Sequence, residues 1–352
     1  MTLDDHKSHL AELGKFLGQF RAEGTAQQEE VRFNEELFDE MNAKIDASIH
    51  HNGWFNRENV CFALQQWSKA LTMRNLKLWL DEYDLSKSGG KTVGIVMAGN
   101  IPLVGMHDFI SVLVANHSVQ IRQSSNDQLL MPVIAKYLMK LDSRYENRIQ
   151  FTKEQLQDFD AVIATGSNNT ARYFEYYFRK KPAIIRKNRN SVAILSGKET
   201  SEELQALGED IFRYYGLGCR NVSKLYVPEN YHFDQFFEAI YDWNPIINRD
   251  KYANNYDYNK AVYLMSEFKL LENGFLMLKE DSSFGSPIAT LFYEFYTSEE
   301  ELKQKLKENR EQLQCIVSRE QTADSVAFGQ TQKPQLWDYA DDVDTIAFLA
   351  SL

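Results

Sequence analysis

The 352-residue sequence is poor in cysteine, has no long apolar run and carries no excess of basic residues. Its three cysteines, Cys61, Cys219 and Cys315, are odd in number and far apart, which argues against a disulfide framework or a zinc site. The formal net charge of -11 comes from 39 basic and 50 acidic residues, so the chain lacks the basic balance typical of nucleic-acid binding. We therefore expect a protein of a reducing compartment with no nucleic-acid partner.

No basic segment followed by an apolar one opens the sequence, as it would in a secretory signal. No stretch approaches the roughly 20 apolar residues that a membrane span needs. These two features predict a cytoplasmic protein without a membrane span.

Proline is absent from the first 88 residues, where the apolar spacing of residues 10–20 and 60–83 predicts amphipathic helices. We expect a helical N-terminal layer.

Strand and helix patterns alternate after residue 90. Strands are predicted at 91–99, 118–124 and 160–167, and helices at 101–116, 126–145 and 168–180. Such alternation indicates a parallel sheet. A second α/β section opens near residue 196, after a strand at 191–196 and before a helix at 200–216. The prediction is an α/β protein with two domains and mostly parallel sheets.

The predicted domain limits are 1–194 for the N-terminal helices with the first α/β domain and 195–322 for the second. Residues 323–352 form a tail of weak periodicity, and we expect it to pack on the first domain or on a partner subunit. The oligomeric state stays open, with a homo-oligomer as one alternative.

Ligands of an open parallel sheet bind at the carboxyl ends of its strands. The first such loop contains Asn100, whose amide is suited to donate to an oxyanion or, alternatively, to fix a turn. The second contains Arg122 and Ser124, and a guanidinium there suits a ribose or its 2′-phosphate. The third contains Gly166 and Ser167, which suit either a pyrophosphate at the start of a helix or simple helix capping.

Cys219 is the candidate nucleophile. It lies in the segment Gly-Leu-Gly-Cys-Arg-Asn, where the glycines permit close approach of a substrate and Arg220 favours the thiolate. The alternative is a buried cysteine that acts as a small hydrophobic residue. Cys61 and Cys315 lie in apolar surroundings and are interpreted as structural.

Polar residues near the first predicted α/β helix have a plainer interpretation. His107, Asp108 and His117 are expected on the helix surface or at its caps, although His107 is also a candidate to line the site.

Four segments, GNIPLVG, VQIRQSSND, VIATGS and YYGLGCRNVSKLYV, resemble in order four motifs of the aldehyde-dehydrogenase superfamily. The most similar branch is that of acyl-CoA reductases related to the fatty acyl reductase of bacterial bioluminescence. The resemblance implies an aldehyde-dehydrogenase-like fold with a dinucleotide-binding domain and a catalytic domain. It also implies NADPH as cofactor, with NADH as an alternative, and an acyl-CoA or acyl-carrier thioester as substrate.

The resemblance also implies roles for individual residues. Cys219 matches the nucleophile, and Asn100 matches the amide that, with the Cys219 N–H, holds the oxyanion. Arg122, Ser124, Gly166 and Ser167 fall beside the dinucleotide, and the arginine is compatible with the 2′-phosphate of NADP. Phe284 falls in the segment near the nicotinamide ribose, although Ser282 replaces the glutamate that binds this ribose.

One departure from the superfamily pattern bears on the reaction. Arg186 falls at the position of the glutamate that activates water in aldehyde-oxidising members, and the sequence offers no nearby carboxylate. An acyl-enzyme should therefore resist hydrolysis and persist until a thiol or a hydride reacts with it. Arg186, Lys187 and Arg189 are alternatively carrier-phosphate ligands or solvated surface.

The alternatives are a hydrolytic aldehyde dehydrogenase, a non-catalytic member of the superfamily and, less favoured, a phosphorylating dehydrogenase.

Overall fold

The computed structural model describes residues 1–320 and 325–352 and divides the chain into two compact units. The first unit comprises Met1–Lys187 and Gln335–Leu352, and the second comprises Asn188–Pro334. A compact unit is not the same as an independently folding domain, so the predicted limits at residues 194/195 and 322/323 stay predictions. The second of these limits lies outside the described residues.

The first unit begins with helices, as predicted. They are α1 (Leu3–Leu17), α2 (Asn34–His51), α3 (Arg57–Ala70) and α4 (Met73–Leu80). The amphipathic stretch predicted over residues 60–83 forms two helices, because α3 ends at Ala70 and the Thr72 hydroxyl caps α4 by accepting from the Asn75 N–H.

A parallel sheet follows the helices. Its elements are β1 (Thr92–Val96), α5 (Met106–Val114), β2 (Ser118–Arg122), α6 (Leu130–Leu141), β3 (Ile149–Phe151), β4 (Ala161–Thr165), α7 (Asn168–Phe178) and β5 (Ala183–Arg186). The strand order is β3-β2-β1-β4-β5, and every pair is parallel. The loops after β1, β2 and β4 therefore leave the same edge of the sheet.

The second unit contains a mixed sheet. Its elements are β6 (Asn190–Ile194), α8 (Ser201–Phe212), β7 (Val222–Pro228), α9 (Asp234–Ala239), α10 (Asp250–Met265), β8 (Leu270–Glu272), β9 (Met277–Glu280), β10 (Thr290–Tyr296), α11 (Glu299–Glu308), β11 (Leu313–Ser318) and β12 (Ser325–Val326). The order is β12-β11-β6-β7-β10-β9-β8, and the β8–β9 pair is antiparallel. The predicted α/β class, with mostly parallel sheets and a helical N-terminal layer, is confirmed.

The chain returns to the first unit at Gln335 and ends with α12 (Thr345–Ala350). Ile346 and Leu349 of α12 belong to the apolar core of this unit. Hydrogen bonds add to the packing: the Tyr339 hydroxyl accepts from the Trp79 indole N–H at 2.8 Å and bonds to the Tyr83 hydroxyl at 2.9 Å. Apolar contacts and buried polar groups thus both fix residues 335–352.

None of the helices in the described residues is long and apolar enough to cross a membrane.

Candidate active site

Asn100 is exposed in the loop after β1. The helix predicted from residue 101 is wrong at its start, since α5 begins only at Met106. Leu103, in between, has a φ of 59°, and its N–H donates to the carboxylate of Asp127 at 3.0 Å. The loop that carries Asn100 is thus tied to the loop after β2.

Asp127 is a residue that the sequence analysis missed. It is buried, and this burial raises the pKa of its carboxyl to about 6, although the bond from Leu103 lowers it. The helix predicted over 126–145 is also wrong at its start, because Asp127 turns inward and α6 begins at Leu130. Nothing in the surrounding polar run distinguishes this aspartate from a helix cap.

The loops after β1 and β2 approach each other closely at Gly99 and Ser124. A Cβ on Gly99 would lie 2.6 Å from the Cβ and Oγ of Ser124, so only glycine fits there. Arg122 is exposed at the end of β2, and among the described residues its guanidinium has no hydrogen-bond or ion-pair partner. The Arg122 guanidinium at this edge of the first unit is therefore available to bind an anionic ligand.

At the third loop, Ser167 is the N-cap of α7, and its hydroxyl accepts from the Thr170 N–H at 3.3 Å. The capping interpretation of Ser167 is confirmed. The Gly166 N–H donates to the Arg186 carbonyl oxygen at 3.2 Å. The Gly166 N–H is therefore already bonded to the neighbouring strand β5. A dinucleotide-binding role for the two residues stays a prediction.

Arg186 is buried in β5 and forms an ion pair with Asp108 of α5. Its other terminal nitrogen donates to the Thr345 hydroxyl of α12 at 3.0 Å. Two expectations are corrected. A carboxylate, that of Asp108 on α5, does lie beside Arg186. Because Arg186 is buried, it is not a surface ligand for phosphate. A carboxylate held by a buried guanidinium is a poor base for water.

The histidines near this pair are not surface residues either, which corrects a further expectation. His117 is 1% exposed and bonds through Nε2 to the Leu349 carbonyl oxygen at 3.0 Å. His107 is partly buried and bonds through Nε2 to the Leu336 carbonyl oxygen at 2.8 Å. Burial lowers the pKa of both imidazoles. Both side chains fasten the C-terminal segment.

Cys219 lies in a tight turn of the second unit, between α8 and β7. The Asn221 N–H donates to the Gly218 carbonyl oxygen at 3.0 Å, so Cys219 and Arg220 are the central residues of a β-turn. The Asn221 side-chain oxygen accepts from the Gly218 N–H at 2.8 Å. The Cys219 carbonyl oxygen accepts from the Ser191 hydroxyl at 2.9 Å. Hydrogen bonds thus fix the backbone on both sides of the cysteine.

The chain enters this turn through consecutive residues with left-handed backbone. Tyr214, Tyr215 and Gly216 have φ values of 55°, 59° and 76°. A left-handed conformation costs a non-glycine residue roughly 1–2 kcal/mol, so the two tyrosines store strain in the segment that leads into the Cys219 turn. Sequence reasoning missed this feature because tyrosine does not favour positive φ.

Arg220 is held in place beside Cys219. Its Nε donates to the Thr331 carbonyl oxygen at 2.6 Å. Thr331 in turn donates to the buried carboxylate of Asp210 through its N–H at 2.9 Å and its hydroxyl at 2.8 Å. The Gly329 N–H donates to the same carboxylate at 2.6 Å. Asp210 thereby anchors the segment that orients Arg220.

Burial raises the pKa of Asp210 to about 6, against the effect of these hydrogen bonds. Sequence reasoning missed Asp210, although a signal existed. An aspartate in the last turn of a helix opposes the helix dipole and indicates a tertiary role.

The three cysteines differ in exposure. Cys61 and Cys315 are buried, whereas Cys219 is partly exposed. Burial raises the pKa of the Cys61 thiol to about 11. The Cys315 N–H donates to the Ser191 hydroxyl at 3.1 Å as part of the sheet. The structural interpretation of Cys61 and Cys315 agrees with their burial.

Phe284 is 8% exposed, and its ring lies in an apolar cluster with Val192 and Tyr226. Its carbonyl oxygen accepts from the Ser223 hydroxyl at 2.7 Å. A cofactor contact from Phe284 stays a prediction.

Among the described residues, no group of histidine, cysteine and acidic side chains is arranged to hold a metal ion.

A model of the acyl-CoA reductase family (LuxC) matches residues 50–241, which is more than half of the chain. The matched range includes Asn100, Arg122, Gly166 and Cys219. No curated protein matches significantly.

Solved aldehyde dehydrogenases have similar folds. Aldehyde dehydrogenase 21 from Physcomitrella patens, in complex with the reaction product succinate, has a TM-score of 0.61 at 15% identity over 91% of this chain and 74% of that chain. The indole-3-acetaldehyde dehydrogenase of P. syringae, a mutant in complex with NAD+ and IAA, has a TM-score of 0.63 at 12% identity over 92% and 73%. The NAD+ complex of a Bacillus cereus aldehyde dehydrogenase has a TM-score of 0.60 at 12% identity over 92% and 73%. The chain therefore has the aldehyde-dehydrogenase fold.

Proposed function

Because the chain belongs to the acyl-CoA reductase (LuxC) family, we propose that it reduces an acyl thioester to an aldehyde with NADPH or NADH. The substrate is an acyl-CoA or an acyl group on a carrier. Cys219 is the proposed nucleophile, since it lies in a hydrogen-bonded turn beside Arg220 and is the cysteine with an exposed surface. We propose a cytoplasmic location.

The first unit fits a nicotinamide dinucleotide at the carboxyl edge of its sheet. The close approach of Gly99 to Ser124 and the available guanidinium of Arg122 suit a ribose and a phosphate there. Ser167 is a further proposed contact in this unit, and the proposed role of Phe284, which lies in the second unit, rests on the resemblance alone. When bound, the reduced nicotinamide supplies the hydride that converts the acyl group to the aldehyde.

The chain's own residues carry out the acyl transfer. The Cys219 thiolate attacks the thioester carbon, and the negative charge moves to the carbonyl oxygen; the resemblance alone makes the Asn100 amide the proposed donor to it. The carrier leaves as a thiolate when the tetrahedral intermediate collapses, and the acyl group stays on the Cys219 sulfur. After reduction, the same sulfur leaves the thiohemiacetal as the aldehyde forms.

The ion pair at Arg186 is the observation that favours reduction over hydrolysis. By the resemblance, Arg186 stands where aldehyde-oxidising relatives have their general base. The Asp108 carboxylate beside it is buried and bound by the guanidinium. Water therefore lacks an activating group at this position, and the acyl-enzyme is expected to persist.

Intact mass after incubation with a panel of acyl-CoAs, without cofactor, tests the proposal. We expect an acyl adduct that persists on the wild type and on Cys61→Ala, and none on Cys219→Ala. NADPH should then restore the unmodified mass and release aldehyde. Rapid loss of the adduct without cofactor would favour a hydrolytic aldehyde dehydrogenase. No adduct from any acyl-CoA or acyl carrier would favour a non-catalytic protein.

A further inference from the structure

The Asn221 side chain joins two parts of the chain around Cys219. It is 3% exposed, and its Nδ2 donates to the carbonyl oxygens of Arg213 at 2.8 Å and Asp210 at 3.0 Å. Its Oδ1 accepts from the Gly218 N–H at 2.8 Å. The orientation of the amide is fixed by chemistry, because carbonyl groups only accept and an N–H only donates.

These bonds hold the segments that determine where Cys219 lies. The Asp210 carbonyl belongs to the last turn of α8, whose final carbonyl groups have no partner inside the helix. The Arg213 carbonyl directly precedes the left-handed residues Tyr214–Gly216. One side-chain amide therefore caps α8, restrains the strained turn and closes the β-turn around the cysteine.

We propose that Asn221 is a positioning residue that keeps the Cys219 turn in the conformation from which the sulfur attacks. This inference rests on the proposed role of Cys219 as nucleophile. Asn221 acts only through the turn and is not a substrate ligand. Its loss should therefore slow acylation of Cys219 and leave the Michaelis constant for the acyl-CoA little changed.

Asn221→Asp is the sharpest test, because it keeps the size and the acceptor for Gly218. It replaces the donor by an oxygen that faces the carbonyl oxygens of Asp210, Ile211 and Arg213. Asn259→Asp is the matched control: Asn259 is 9% exposed in the same unit, and its Nδ2 donates to the Ile288 carbonyl oxygen at 2.9 Å. Asn221→Ala removes the bonds of the amide without adding repulsion.

We expect Asn221→Asp to lower the rate constant of acylation about 10- to 100-fold, as small misplacements of reacting groups do. Asn221→Ala should lower it in the same direction, and Asn259→Asp should acylate at the wild-type rate. Wild-type rates in the Asn221 variants would overturn the proposal. Unfolding of both Asn221 variants, under conditions in which Asn259→Asp stays folded, would assign Asn221 a purely structural role and also overturn it.

Alkylation of Cys219 by iodoacetamide separates this inference from the proposed function, because it needs no substrate. Mass spectrometry of the Cys219 peptide gives the alkylation rate as a function of pH. We expect the profile to shift in the Asn221 variants and not in Asn259→Asp. If no acyl thioester labels the wild type but this shift is found, the proposed function fails and the positioning role stands. If the wild type is acylated and neither acylation nor alkylation changes in the Asn221 variants, the positioning role fails alone.

Discussion

Arg122 carries the predicted preference for NADPH over NADH. Its exposed guanidinium has no partner among the described residues and suits a 2′-phosphate. Replacing it by alanine should raise the Michaelis constant for NADPH about 10- to 100-fold, the effect of losing hydrogen bonds to a charged group. Steady-state kinetics with both cofactors measures the difference, and Arg21→Ala, another exposed arginine of the first unit, is the control. Equal effects on NADPH and NADH would contradict the preference.

Asn100 has two competing interpretations, as an oxyanion donor and as a turn residue. Replacing it by alanine should lower turnover by about 10²–10³ with cofactor affinity nearly intact, the usual result of removing one oxyanion donor. Turnover and cofactor titration of the purified variant provide the measurement. A lower melting temperature with turnover retained would support the turn interpretation instead.

Asp210 should make stability depend on pH. Its folded-state pKa of about 6 lies above the ordinary value of 3.8, so the folded protein retains the proton more strongly than the unfolded chain. Ionisation therefore lowers the free energy of unfolding by about 3 kcal/mol in all, and about 2 kcal/mol of this is lost as pH rises from about 4 to about 6. Urea unfolding across this range, compared with Asp210→Asn, isolates this contribution. A difference between the two proteins that does not vary with pH would refute it.

At the scale of secondary structure, the Arg186–Asp108 pair joins β5 to α5, and Thr345 adds α12. Asp108→Ala leaves a buried guanidinium without its counter-charge and should cost about 3–5 kcal/mol. The double replacement Asp108→Leu with Arg186→Met should recover most of that loss, because two apolar side chains need no partner. Thermal or urea unfolding measures both. Glu299→Ala, at the exposed pair with Lys303, should change little.

Elements with strong periodicity could be predicted from the sequence, and short ones could not. The strands β1, β2 and β4 and the helix α7 fall where alternating patterns placed them. No clear local signal predicts β3 or β5, since each has only three or four residues and β5 ends in a buried arginine. Long-range pairing with neighbouring strands, rather than local propensity, makes these segments extended.

The candidate site shows the same division. Cys219 and Asn100 lie in loops whose local sequence is typical of a functional site, so both could be predicted as candidate site residues from the sequence alone. The partners of Arg186 could not be predicted, because Asp108 lies 78 residues away and Thr345 lies 159 residues away. Asn221 is only two residues from Cys219, yet its role depends on carbonyl groups at the end of α8 that no local pattern reveals.

In the molecule as a whole, the second unit is inserted into the first, between Lys187 and Gln335. A chain ending at Pro334 would lose the carbonyl groups that bind His107 and His117, and the hydroxyl that binds Arg186. Hydrogen exchange should increase in peptides covering α5 and β5, because buried polar groups lose their partners there. Unchanged exchange would show that residues 335–352 contribute little to the first unit.

The return of the chain to the first unit also sets an order of events on the ribosome. Residues 1–187 emerge before the inserted unit, but Thr345 and the apolar residues of α12 emerge only after it. At about 5–20 residues per second, the nascent first unit waits roughly ten seconds or more for its final contacts while the inserted unit is made. During this interval the Arg186–Asp108 pair lacks the cover that α12 provides, and the incompletely packed first unit is exposed to aggregation.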